Sequence, residues 1–200
     1  MKWRLLTASV LALMMGLLLM APTVLAATSG NRAWETFDKA HWVKGVGNPG
    51  YGLVTVSNST YPDGGIVLKH SFTPTNPSTI TALSFDFNPN QTGSSLGSPR
   101  MVVEFSDGGN GQLRPLTWVA NTWTHLDGMT GNNWDNAGGT CGFVYATTWT
   151  GIMACHPGAT VTQIFVVNDS GYGYPPNGEQ VILDNVNVNN IIATGPPNSN

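Results

Sequence analysis

The sequence predicts an all-β fold, a jelly-roll β-sandwich of two antiparallel sheets with at most one short helix. Three observations lead there. Short runs rich in Val, Ile, Thr, Phe and Trp recur along the chain, bounded by Gly, Pro and Asn. No repeat recurs at a fixed period, which argues against a propeller or solenoid. Once a leader is set aside, about 174 residues remain, enough for one domain that buries roughly 70% of its unfolded surface.

The leader is residues 1–26. Lys2 and Arg4 precede an apolar run from Leu5 to Met20, and Ala21-Pro22-Thr23-Val24-Leu25-Ala26 supplies the small residues of a cleavage site. This is the pattern of a secretory signal peptide, and the run is short for a membrane span. The β-sandwich domain is then residues 27–190. Strands are expected near 34–37, 51–57, 66–72, 80–87, 100–106, 113–119, 122–127, 143–147, 161–168 and 180–188. Turns fall at 47–50, 62–65 and 107–111, where Gly-Asn-Pro-Gly, Pro-Asp-Gly-Gly and Asp-Gly-Gly-Asn-Gly interrupt the apolar runs. Residues 148–155 lack alternation and precede Pro157-Gly158, so one or two helical turns fit there. Residues 191–200 carry Gly195-Pro196-Pro197 and read as a disordered tail.

Only 10% of the residues are charged, against roughly 25% in typical globular proteins. Without the leader, six bases stand against eleven acids, a net charge of −5. Such a surface repels phosphate backbones, which excludes nucleic acid as a partner. No basic amphipathic helix points to a membrane surface once the leader is removed. A surface of Gly, Asn, Ser and Thr suits hydrogen bonding to neutral ligands, and equally a bland extracellular β-protein. Cys141 and Cys155 are the only cysteines. In an oxidising compartment they pair, closing a loop of about 15 residues worth roughly 3 kcal/mol on the chain-entropy model.

Alternation along residues 180–188 puts Asp184 on the face of Ile182, Val186 and Val188. A carboxylate among aliphatics needs a cation, hydrogen-bond donors or a proton. The same reasoning places His70 beside Ile66, Leu68 and Phe72.

The opening segment Trp34-Glu35-Thr36-Phe37-Asp38-Lys39-Ala40-His41-Trp42-Val43 and the closing strand Val181-Ile182-Leu183-Asp184-Asn185-Val186 resemble the jelly-roll carbohydrate-binding modules of secreted bacterial enzymes. The middle of the chain is more similar to uncharacterised secreted bacterial β-sandwich proteins. The first resemblance implies sugar binding and a structural calcium ion held by oxygens from the two ends. Asp38 and Asp184 are the ligands it implies, with Glu35 a weaker one. Calcium takes six to eight oxygens, so these acids alone do not complete a site.

Aromatic residues are the ligand-contact candidates. Residues 113–119 and 122–127 read as a hairpin turning at Ala120-Asn121. Trp118 would then face Trp123, with Leu116 and His125 on the same side, either as a sugar-stacking pair or as a core pair. Trp134 lies in a Gly/Asn-rich stretch beside Asn132, Asn133 and Asp135, and Tyr172 and Tyr174 lie in a Gly/Pro-rich one. Loop aromatics flanked by amides suit ligand contact, unless the rings fold back over the sandwich end.

Signals for catalysis are sparse. Glu104 and Asp86 alternate outward from their strands, and two suitably spaced carboxylates can hydrolyse a glycoside. His41, His70, His125 and His156 have no metal-ligand spacing. The Asp107–Gln112 run has some oxygen-ligand character, but a hairpin turn explains it better. The expectation is a secreted, extracellular, monomeric protein that binds a polysaccharide or cell-surface glycan without catalysis. The alternatives are a small polysaccharide-active hydrolase or lyase and a structural envelope protein.

Overall fold

A computed structural model describes residues 30–58, 60, 63–69, 73–90, 93–94, 98–169 and 179–197. The leader, His70, Phe72, Tyr172 and Tyr174 lie outside the described residues. In chain order the strands are β1 (Trp34–Asp38), β2 (Ala40–Gly47), β3 (Gly50–Ser57), β4 (Asp63–Leu68), β5 (Leu83–Pro89), β6 (Gly93–Ser94), β7 (Arg100–Phe105) and β8 (Asn110–Leu113). They continue with β9 (Thr117–Trp118), β10 (Thr124–Asp127), β11 (Trp134–Ala137), β12 (Val144–Thr147), β13 (Val161–Asp169), β14 (Glu179–Val188) and β15 (Ile191–Ala193). The helix α1 (Trp149–Cys155) sits between β12 and β13.

These strands form an all-β sandwich. The larger sheet has the order β1-β4-β13-β7-β8-β11-β12, and the smaller β10-β5-β14-β3-β2, with β15 beside β14. The pairings within both are antiparallel. Strands β3, β4, β5 and β7 alternate between the sheets, and β13 and β14 insert between them, which is jelly-roll connectivity. Alternation turns Phe85 and Phe87 of β5, Met101 and Val103 of β7, and Val181 and Leu183 of β14 into one buried core.

Helix α1 starts where the Thr148 side chain accepts the Gly151 N–H at 3.1 Å. It lays Trp149 against Trp134 and Phe105, with ring centroids 5.1 and 6.4 Å away. Met101, Leu113 and Trp134 are register partners across β7, β8 and β11 and all face inward. The helix therefore covers the inner face of β8 and β11.

Four expectations change. The hairpin of 113–119 and 122–127 does not form: β8 joins the larger sheet and β10 the smaller, while β9 pairs with β6. Pro115 lacks the N–H that would continue β8. Residues 134–137, read as loop, are the next-to-last strand of the larger sheet. Ile191–Ala193, read as the start of a disordered tail, instead pairs with β14 and buries Ala193. Finally, β14 carries a bulge between Asp184 and Asn187, with Asn185 at φ 49°. Val181 and Leu183 face the core before it and Val186 and Val188 after it, so Asp184 points to the opposite face.

Candidate functional site

The best-formed surface lies on the outer face of the larger sheet, at its β12 edge. One residue along from the inward Met101, Leu113 and Trp134 come Val102, Gln112 and Asp135, which are themselves register partners and face outward. The next outward row is Glu104, Asn110 and Ala137. At β12 the pairing runs Trp134 to Thr147 and Asn136 to Val144, so Tyr145 and Ala146 together oppose Asp135. That bulge puts Ala146 at φ 54° and lets its N–H donate to Asp135 Oδ1 at 3.0 Å.

The bulge also fixes what the edge exposes. Val144 lies opposite the buried Asn136, so the residues flanking it, Phe143 and Tyr145, turn outward. They are 76% and 71% exposed. The backbone that carries them is held at three neighbouring points. Arg114 forms an ion pair with Asp135 behind the bulge. Asn136 Nδ2 donates to the carbonyls of Gly138 and Gly142 at 3.0 and 2.7 Å. Cys141, two residues before Phe143, is bonded to Cys155 of α1 with Cα atoms 5.1 Å apart. The result is a strip of two exposed aromatic side chains at the edge of a face that also carries, on β8, the amides of Gln112 and Asn110, with Gln112 Nε2 donating to Asn110 Oδ1 at 2.9 Å.

A second cluster occupies the opposite outer face, on the smaller sheet. His125 of β10 and Asp86 of β5 are register partners, with Nδ1 2.6 Å from Asp86 Oδ1. The other Asp86 oxygen accepts from Asn185 Nδ2 at 2.7 Å. The His125 side chain is 61% exposed. Asp184, beside Asp86 in register, is covered by the β2–β3 turn and accepts the N–H groups of Asn48 at 2.6 Å and Asn185 at 2.7 Å. Burial pushes its carboxyl above the usual range, the two N–H bonds pull it back, and the Asp86 charge adds to the rise.

The structure places the sequence candidates as follows. Trp134 is fully buried, its indole N–H donating to Gly128 O at 2.6 Å, so it is core and not a ligand contact. Trp118 and Trp123 are half-buried on separate segments and do not form a cross-strand pair. Asn132 is exposed, and Asn133 is half-buried with its carbonyl accepting the Arg114 N–H. Asp135 does reach the outer strip. Glu35 pairs with Lys69, Asp38 lies beside Asp63, and Asp184 is bound by backbone N–H groups on the other sheet. The three implied calcium ligands thus do not converge, and among the described residues no group of three His, Cys, Asp or Glu side chains is placed to hold a metal. Glu104 and Asp86 face outward from different sheets, so they cannot flank one glycosidic bond. Phe143 and Tyr145 were missed; their spacing around Val144, just after Cys141, was the available signal.

A cavity of about 230 Å³ opens between residues 76–78 and 156–160. His156 is among the residues that line it, but both its ring nitrogens are engaged elsewhere, with Asp107 and Asn136. Among the described residues no helix is long and apolar enough to cross a membrane.

No family model and no curated protein matches the chain. Among solved structures, an exo-β-agarase is similar at a TM-score of 0.42 and 14% identity, over 78% of this chain and 23% of that one. The chain therefore spans less than a quarter of the agarase's length.

Proposed function

We propose that this is a secreted carbohydrate-binding protein whose contact surface is the Phe143–Tyr145 strip. The observation that carries the reading is two large aromatic side chains exposed on a backbone segment held by a disulfide, a bulge and an Asn136 clamp. Aromatic faces carry partial negative charge and low polarity. They match the C–H face of a pyranose, while Gln112, Asn110 and Asp135 can bond its hydroxyl groups. The low charge of the chain fits a neutral ligand. The disulfide fits an oxidising, extracellular setting. The test is retention on insoluble polysaccharides and on a glycan array. Phe143→Ala and Tyr145→Ala should each weaken retention with melting temperature unchanged, and affinity should vary little with salt. Retention that survives the double variant sinks the reading.

The His125–Asp86–Asn185 array favours a second reading, an enzyme. A carboxylate that holds Nδ1–H leaves Nε2 as an outward base. Asp86→Asn should then abolish product formation from a polysaccharide without affecting retention.

A further inference from the structure

His156 has no role in either surface, yet it is locked on every side. It is fully buried, at the C-terminal end of α1. Its ring stacks on Phe105 with centroids 4.1 Å apart and planes at 11°. Nδ1 lies 2.8 Å from Asp107 Oδ2, and Nε2 lies 2.8 Å from Asn136 Oδ1. A Cβ on Gly109 or Gly139 would fall 2.4 or 2.6 Å from ring atoms, so both neighbours must be glycine.

Both nitrogens face acceptors. Asp107 also accepts the Gly109 N–H at 3.0 Å. An aspartate carboxyl is ordinarily ionised at neutral pH, and the hydrogen bonds it accepts here favour that form. Asp107 is therefore a carboxylate and can only accept. The orientation of Asn136 is set independently, because its Nδ2 donates to two carbonyls, Gly138 and Gly142. Its Oδ1 can only accept as well. A neutral imidazole would point a lone pair at one of these oxygens.

We propose that His156 is a buried imidazolium that positions the Phe143–Tyr145 segment through Asn136, so that the aromatic strip is ordered only while His156 carries both protons. The consequence for ligand binding rests on the carbohydrate reading; the coupling itself does not. Asp107 is the charged group in hydrogen-bond contact with the ring. From β7 the ring meets Phe105, from β11 Asn136, from residues 138–142 Gly139, and its α1 neighbour Cys155 is disulfide-bonded. When the proton is lost, the carboxylate keeps the Nδ1–H and Nε2 becomes an acceptor facing Asn136 Oδ1. The amide relieves the clash by turning over, which brings its oxygen against the Gly138 and Gly142 carbonyls. The hold on Gly142, the residue before Phe143, is lost.

The test needs no sugar. Nitrogen-15 spectra of the imidazole rings report which nitrogens carry protons, and amide hydrogen exchange reports order at residues 143–145. In the native protein at neutral pH, both His156 nitrogens should be protonated. Protection at 143–145, corrected for intrinsic exchange, should fall about tenfold or more over the pH range in which the Nε2 proton leaves, as for loss of one buried hydrogen bond. Asn136→Leu should remove that pH dependence while leaving His156 Nδ1 protonated. A singly protonated ring at neutral pH overturns the proposal, as does protection that does not follow the titration. Both measurements on the native protein stand even if the variant fails to fold.

Discussion

Gly128 joins the two sheets through Trp134. Its N–H donates to Leu83 O of β5 at 2.7 Å, and its carbonyl accepts the Trp134 indole N–H of β11 at 2.6 Å. A Cβ there would lie 2.9 Å from both Leu113 and Trp134 side-chain atoms. Trp134→Ala should therefore cost about 3–5 kcal/mol as a core truncation. Trp134→Phe leaves the Gly128 carbonyl unpaired and should cost about 1–3 kcal/mol. Denaturant melts check both. Phe143→Ala, by contrast, should stay within about 0.5 kcal/mol of the parent. Equal losses for Trp134→Ala and Phe143→Ala would contradict the burial assigned to each.

The disulfide should contribute measurably without being essential. Cys141 and Cys155 are 14 residues apart, and replacing both with Ser should remove roughly 3 kcal/mol on the loop-entropy model. For a domain of this size the melting temperature should drop by about 6–12 °C. The fold should persist, because the Thr140 N–H still donates to Cys155 O at 2.7 Å. Free thiols in protein purified without reductant would contradict the pairing.

Strand pattern made the sandwich legible, because the apolar-rich runs of β3, β7, β13 and β14 fall where expected. Partner choice was not legible. Sequence adjacency favoured a hairpin at Ala120-Asn121, whereas Leu113 finds its register partners in Met101 and Trp134, and Leu126 in Phe85. Asp184 shows a subtler limit. Its burial was anticipated, but from an alternation that the bulge at Asn185 breaks. It is buried because the 47–50 turn folds over it, a contact 136 residues away in sequence. The outer strip was hidden for the same kind of reason: an edge position depends on which strand comes last, and no local pattern states that.

Calcium removal should do little. The charge of Asp184 is met by the N–H groups of Asn48 and Asn185, and Glu35 and Asp38 point to other partners. Melting temperature should be the same with and without chelator; a fall would restore a metal bound only by the native state. Asp184→Asn should destabilise by about 1–3 kcal/mol, since one amide oxygen replaces two and an N–H group loses its acceptor.

Glu179 sets the expected pH dependence. It begins β14, nearly fully buried. Burial, and then the nearby Asp169 charge, push its carboxyl from 4.5 up to about 7. Below about pH 4.5 the group is protonated folded and unfolded, and its contribution to stability is fully present. As pH rises, the unfolded chain ionises first while the folded protein keeps its proton, so stability falls, and the loss is complete once pH passes about 7. The whole loss is on the order of 3 kcal/mol at most. Asp63, raised by burial and by Asp38 beside it, adds to the fall, so the wild-type curve alone does not isolate Glu179. The difference between wild type and Glu179→Gln does. The amide keeps the shape and cannot ionise, so the variant should melt about 5–10 °C higher above roughly pH 8 and near the wild-type temperature in mild acid. A difference that is constant across this range would mean that Glu179 is already charged in the folded protein.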